Sequence, residues 1–81
     1  MIYVLKIRGL VQGVGFRNTT KKMAKKLGLK GFTRNLLDVN EVEVIVDAPT
    51  KEALSPLVSF LKDSFQIETL SLQELSDFEI L

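Results

Sequence analysis

The sequence predicts an α+β fold of the ferredoxin-like type. This is a βαββαβ sandwich whose two helices cover one face of a four- to five-stranded, largely antiparallel sheet. The first observation is that the spacing of the apolar residues switches between alternating and helical, which gives the order strand, helix, strand, strand, helix, strand. The second is size: 81 residues, 46% of them apolar, predict a single globular domain over residues 1–81.

The first strand is predicted over residues 2–8, IYVLKIR, which are rich in β-branched and aromatic side chains. Tyr3, Leu5 and Ile7 alternate and therefore share the face that a core would cover. Residues 9–17 carry three of the five glycines and are predicted to form a loop.

The first helix is predicted from Asn18, where the spacing becomes helical. Gly28 or Gly31 is expected to end it, because glycine accepts the left-handed conformation that follows many helices. The inward positions are Thr20, Met23, Ala24 and Leu27, and the outward positions are Lys21, Lys22, Lys25 and Lys26.

The second half of the chain is predicted to contain a β-hairpin, then a helix, then further strands. Residues 32–37 and 41–47 are predicted strands, joined by a turn at residues 38–40, where Asp and Asn tolerate turn geometry. A second helix follows Thr50; it either starts at Ser55, with Pro56 in its first turn, or bends at the proline. Strands over residues 66–74 and 77–81 complete the prediction.

The composition excludes several kinds of site. The chain has no cysteine and no histidine, which removes disulfides, thiol nucleophiles, Ser-His-Asp triads and the commonest metal ligands. We expect no metal and no cofactor, since the acids alternating along residues 41–47 are typical of a solvent-facing strand. No apolar run is long enough to span a membrane and the N-terminus does not resemble a signal peptide, so a cytoplasmic protein is expected.

Charge is divided unevenly along the chain. Residues 1–40 carry nine Lys or Arg and one acid, a net +8, whereas residues 41–81 carry two Lys and nine acids, a net −7. The basic half is suited to attracting anions. The lysines of the first helix and Lys30 are interpreted as a solvated face. Nucleic-acid binding by these lysines is the more specific alternative, but the chain has too few aromatic residues outside core positions to stack bases.

The residues that indicate a functional site are Val11–Arg17, VQGVGFR. Gly13 and Gly15 let backbone N–H groups turn toward a ligand, and the following helix adds the positive end of its dipole. Arg17 supplies a planar fork of donors that matches phosphate oxygens. These features predict an anion cradle, most simply for phosphate; the alternative is a tight turn with no ligand.

The motif resembles that of the acylphosphatase family at all seven positions. A second segment, GFTRN, matches that family at Gly31, Phe32 and Asn35, and the resemblance extends over nearly the whole chain. The turn after Asp38 departs from the family pattern because it lacks glycine, and Asn18 stands where many members have an aromatic residue.

The resemblance implies an activity and a set of site residues. Members cleave the carboxyl–phosphate bond of acyl phosphates without a metal. Their loop and its arginine bind phosphate, and their asparagine orients water, which implies catalytic roles for Arg17 and Asn35. A small monomer is expected, with phosphate or sulfate able to occupy the loop. The alternative is a non-catalytic module of the same fold that binds a phosphorylated ligand or nucleic acid. The implied phosphate-binding residues are Gln12, Gly13, Val14, Gly15, Phe16 and Arg17.

Overall fold

The structure is a computed structural model that describes residues 1–75 of the chain. The described part has the predicted βαββαβ order. Its four strands form one antiparallel sheet in the order β2-β3-β1-β4. The predicted strand at residues 77–81 lies outside the described residues. The elements are β1 (Ile2–Leu10), α1 (Phe16–Lys26), β2 (Lys30–Asn35), β3 (Glu41–Asp47), α2 (Ser55–Ser64) and β4 (Gln66–Leu75).

The topology brings two loop ends together. Strands β1 and β2 both run antiparallel to β3, which lies between them, so β1 and β2 are parallel to each other. Helix α1 connects them as a crossover. The carboxyl ends of β1 and β2 therefore lie at the same edge of the sheet as the N-terminus of α1.

The core lies between one face of the sheet and the two helices, as predicted. Alternating residues of the two central strands point inward, and an apolar side of α2 covers them. Burial of about 25 cal/mol per Å² of apolar surface is the main stabilising contribution in such a core. The central members of this cluster are Tyr3, Leu5, Ile7, Val42, Val44, Val46, Leu54, Leu57 and Leu61.

Helix α1 begins at Phe16, two residues before the start predicted from apolar spacing. The apolar pattern could not reveal this, because Phe16 packs into the core from the first turn while Arg17 beside it is exposed. The helix ends as one of the two alternatives predicted. Gly28 has a φ of 71°, and the Leu29 N–H donates to the Ala24 carbonyl at 2.9 Å, as in a Schellman motif.

Strand β2 spans Lys30–Asn35, so the prediction of residues 32–37 was displaced by two residues. The apolar pair that follows Asn35 resembled strand, but it belongs to the connection, and Leu37 is fully exposed. The turn itself is as predicted: the Glu41 N–H donates to the Asp38 carbonyl at 3.0 Å, and strand β3 starts at Glu41.

Helix α2 starts at Ser55 and carries Pro56 in its first turn, which was one of the two alternatives. A short 3-10 turn, Glu52–Leu54, leads into it. Proline is tolerated there because the first N–H groups of a helix have no intrahelical partner. Over the described residues, neither helix has the length and apolar character needed to cross a membrane.

Candidate active site

The candidate site is a cleft between the β1–α1 connection, helix α1 and the edge strand β2. Its volume of about 840 Å³ lies within the range of small-molecule sites, about 300–1,000 Å³. Arg17 and Asn35 both line it, although 17 residues separate them in the sequence. The shared edge of β1 and β2 brings them together.

The connection between β1 and α1 contains two left-handed residues. Gly13 and Gly15 have φ values of 75° and 79°. A β-carbon built on either glycine would meet no atom within 4 Å, so the need for glycine comes from the backbone angle and not from lack of space. Left-handed residues among right-handed ones turn backbone N–H groups toward one concave side, a geometry that binds anions.

The N-terminus of α1 is not capped by a side chain. Its N-cap is Gly15, and its first turn contains no acidic residue. The first intrahelical bond from this end runs from the Thr19 N–H to the Gly15 carbonyl at 3.0 Å. The N–H groups before Thr19 are therefore available to an anion, and the helix dipole favours one there.

Phe16 fixes this end of the helix to the core. Its side chain is buried, and its ring lies 4.9 Å from the ring of Phe65 between centroids, tilted by 59°. Tilted aromatic pairs at this separation are favourable beyond the apolar area that they bury. The loop and the first turn of α1 therefore rest on a rigid base.

Arg17 is exposed, and within residues 1–75 it forms no ion pair. The other two arginines are paired. Arg8 lies 2.9 Å from an Asp38 carboxylate oxygen, and Arg34 lies 2.7 Å from one of Glu43. The Arg34 side chain lies on the other sheet face from Asn35, because successive residues of a strand point to opposite faces. Arg17 thus keeps its donors for a ligand in the cleft.

Asn35 is the last residue of β2 and pairs with Val42 of β3. Because Val42 is buried, Asn35 lies on the sheet face that the helices cover. Its side chain is nevertheless exposed, since β2 is the edge strand and the cleft opens beside it. An amide at this place can both donate to a phosphate and accept from a water molecule.

Gln12 connects the loop to the end of β2. Its side-chain Nε2 donates to the carbonyls of Leu36 at 3.1 Å, Asp38 at 2.9 Å and Glu41 at 2.8 Å. The amide of Gln12 is thus engaged with the β2–β3 turn. Among the implied phosphate-binding residues, the ones that line the cleft are Gly13, Gly15, Phe16 and Arg17, whereas Gln12 and Val14 lie outside it.

Two features of the cleft were missed from the sequence. Lys21, Lys25 and Lys30 line it, although they were interpreted as part of a solvated face. Thr20 also lines it, is only 1% exposed, and its Oγ1 has no hydrogen-bond partner among residues 1–75. Side-chain spacing predicted that Thr20 packs inward, but only the position of β2 shows that it borders a cleft.

Among residues 1–75, the charges that line the cleft are of one sign. They belong to one arginine and three lysines, and no acid of this part of the chain lines it. Within the described residues, no three acidic side chains come together as metal ligands. Asp38, in the turn that follows β2, has a perturbed pKa. The Asn40 N–H, and then the Arg8 side chain, hold the pKa of that carboxyl below its usual value.

Known proteins resemble this chain over most of its length. The acylphosphatase family model matches residues 3–80. The chain is 40% identical over 82 residues to an acylphosphatase of Treponema denticola, covering 91% of this chain and 85% of that protein. It is 41% identical over 56 residues to an acylphosphatase of Caldivirga maquilingensis, covering 69% of this chain and 58% of that protein.

A solved structure also resembles this chain. The crystal structure of acylphosphatase from Bacillus subtilis matches with a TM-score of 0.80 and 31% identity, covering 98% of this chain and 90% of that chain. Sequence, fold and site geometry therefore agree. The chain belongs to the acylphosphatase family.

Proposed function

We propose that this chain hydrolyses acyl phosphates to a carboxylate and inorganic phosphate, with the cleft beside β2 as its active site. The observation that carries the proposal is that Arg17 and Asn35 line the same cleft, next to an uncapped helix N-terminus and with no acid among the described residues of the lining. The names of its relatives support an acyl phosphate as substrate.

Phosphate binding is assigned to the Gly13–Gly15 loop, the first turn of α1 and Arg17. The loop and helix N–H groups donate to phosphate oxygens, and the guanidinium donates two parallel bonds while neutralising charge. These donors are fixed before the substrate arrives, because the loop rests on Phe16 and is held by Gln12. Preorganised donors of this kind stabilise the charge that develops in the transition state.

The attacking water is assigned to Asn35. Its amide oxygen accepts from the water, and its amide nitrogen donates to the phosphate, which brings the water oxygen close to phosphorus. That oxygen forms a bond to phosphorus while the bond from phosphorus to the carboxyl oxygen breaks. The carboxylate leaves with the electron pair, and the proton of the water passes to the phosphate product or to solvent.

This reaction suits a chain that has no histidine and no cysteine. A carboxylate is a good leaving group, so the reaction needs little general acid or base assistance. Phosphoryl transfer is promoted mainly by positioning and by charge stabilisation, which Asn35 and Arg17 can provide. A metal-independent reaction is part of this proposal. The cytoplasmic location, the monomeric state and the single domain over residues 1–81 stay predictions.

The experiment that tests the proposal is hydrolysis of benzoyl phosphate by the purified protein in the presence of a chelator. Arg17→Ala is expected to lower kcat/KM by at least about a hundredfold, because it removes a charged donor from the transition state. Arg34→Ala is the matched control: it removes an arginine that is paired with Glu43 outside the cleft, and it should hydrolyse benzoyl phosphate like the unchanged protein.

Two results would contradict the proposed hydrolysis. One is an equal rate for the unchanged protein and Arg17→Ala, and the other is activity that the chelator abolishes. If the unchanged protein binds phosphate but does not turn over benzoyl phosphate, the non-catalytic binding module becomes the better account.

A further inference from the structure

One wall of the cleft carries a row of positive charges that phosphate binding does not use. Arg17, Lys21 and Lys25 are four residues apart on α1, and all three line the cleft. In a helix such residues lie on one side, about 6 Å apart along the axis. The row thus extends about 12 Å from the phosphate anchor along the cleft. Lys30, the first residue of β2, also lines the cleft, but its pairing with Asp47 places its side chain on the sheet face away from α1, so it is not part of the row.

These lysines are not neutralised within the described part of the chain. Among residues 1–75, Lys21, Lys25 and Lys30 form no ion pair. The side chains of this part of the chain that line the cleft include no carboxylate. Like charges gathered in one concavity repel one another and raise the local potential, which an anionic ligand relieves.

The other lysines of the same helix provide a comparison. Lys22 and Lys26 carry the same charge and are also exposed, but they do not line the cleft. A general preference of helices for surface lysine accounts for both pairs. It does not account for the absence of acids among the described residues that line the cleft beside Lys21 and Lys25, in a chain that has 10 acids.

We propose that Lys21 and Lys25 bind a second anionic group on the acyl part of the substrate. The preferred substrates are then acyl phosphates whose acyl group carries a carboxylate or a further phosphate, in preference to those with a neutral acyl group. The inference rests on the proposed function, because it assumes that the phosphate group is bound at Arg17. It deepens that function by assigning the specificity for the acyl part to the α1 wall.

The test compares two substrates that differ by one charge, benzoyl phosphate and 4-carboxybenzoyl phosphate. The quantity of interest is the ratio of kcat/KM for the carboxylated substrate to that for benzoyl phosphate. Two double variants each remove two positive charges from the same helix: Lys21→Ala with Lys25→Ala, and Lys22→Ala with Lys26→Ala. The ratio is compared between proteins, so the intrinsic reactivity of each substrate cancels.

The expected result is that loss of Lys21 and Lys25 lowers the ratio by about tenfold, since an exposed charge pair contributes about two- to fivefold in affinity. The change should appear in KM. The variant with Lys22→Ala and Lys26→Ala should keep the ratio within about twofold of that of the unchanged protein. In the unchanged protein the ratio should also fall as salt is raised, because exposed charges are screened.

The outcomes separate this inference from the function on which it rests. If all proteins hydrolyse benzoyl phosphate but the two double variants have the same ratio, the inference is overturned and the proposed function stands. If the unchanged protein hydrolyses neither substrate, the proposed function fails and the inference fails with it. Both double variants replace only exposed side chains, so they are expected to fold.

Discussion

At the residue scale, Gly15 joins the phosphate loop to helix α1 with a φ of 79°. We predict that Gly15→Ala lowers the free energy of unfolding by about 1–2 kcal/mol, which is the cost of placing a β-carbon in the left-handed region. Gly15→Asn should cost less, because asparagine adopts this region more readily. Urea unfolding of the three proteins measures the difference.

The surroundings of Gly15 make this prediction specific. Outside Gly15 and its two neighbours in the chain, no atom lies within 4 Å of the position of the added β-carbon, so a loss of stability would come from the backbone conformation of this residue itself. If alanine were as stable as glycine, or asparagine less stable than alanine, the loop would not require a left-handed residue here. The account of the anion cradle would then lose its structural basis.

Asp38 gives a prediction on pH. Because the Asn40 N–H and Arg8 hold its pKa below the usual value, the ionised carboxylate is favoured in the folded state. Its contribution to stability is therefore present above the ordinary pKa of an aspartate, about 4, and is lost as the pH falls through the lower value of the folded protein.

Asp38→Asn tests this directly. The variant cannot ionise at this position, so its free energy of unfolding should fall less steeply between about pH 5 and pH 2 than that of the unchanged protein. Urea unfolding over that range measures both slopes. Identical slopes would show that the folded protein does not favour the ionised carboxylate of Asp38 over its protonated form any more than the unfolded chain does.

At the element scale, the β2–β3 turn and the β1–α1 loop are held together by Gln12. One side-chain NH₂ group donates to the carbonyls of Leu36, Asp38 and Glu41, so it connects the loop to both ends of the turn. We expect this contact to influence the width of the cleft, because Asn35 is the last residue of β2 before the connection to β3 and Arg17 lies in the first turn of α1 after the loop. Gln12 is thus expected to position the site without contacting the substrate.

We predict that Gln12→Glu lowers the free energy of unfolding by about 2 kcal/mol and also lowers kcat for benzoyl phosphate. A carboxylate has the same shape but no donor, so it leaves three carbonyls facing a negative charge. Gln73→Glu is the matched control, because it makes the same charge change at an exposed position of β4. Equal effects of the two changes on stability would contradict the assigned role of Gln12.

At the scale of the whole molecule, the crossover from β1 through α1 to β2 creates the site. It places a loop, a helix N-terminus and a strand end at one edge of the sheet, all from the basic half of the chain. Three acids of the other half pair with Arg8 and Arg34 outside the cleft: Glu41, Glu43 and Glu68. The uneven charge along the sequence thus becomes a positive cleft on one side of the fold.

Much of this could be predicted from the sequence. Alternating apolar residues identified β1 and β3, because both strands have one buried and one exposed face. The glycine loop and Arg17 were recognisable because anion cradles need those residue types at close spacing. Family resemblance then indicated Asn35.

Other parts depend on tertiary contacts that spacing does not reveal. The start of α1 at Phe16 depends on packing against Phe65, and the shift of β2 depends on where the Schellman motif ends α1. In the sequence, Lys21 and Lys25 have the same helical spacing as Lys22 and Lys26, so spacing alone does not show which pair lines the cleft. Only the position of β2 beside one side of the helix distinguishes the two pairs.

The central claim is that this cleft binds phosphate through Arg17 and directs water through Asn35. The most direct measurement determines, for Asn35→Ala, both kcat for benzoyl phosphate and the Kd for inorganic phosphate. Asn40→Ala serves as the control, because it removes an exposed asparagine amide in the adjoining turn. The account predicts that Asn35→Ala lowers kcat by about a hundredfold while Kd changes by less than about threefold. Turnover by Asn35→Ala within about twofold of the unchanged protein would contradict it.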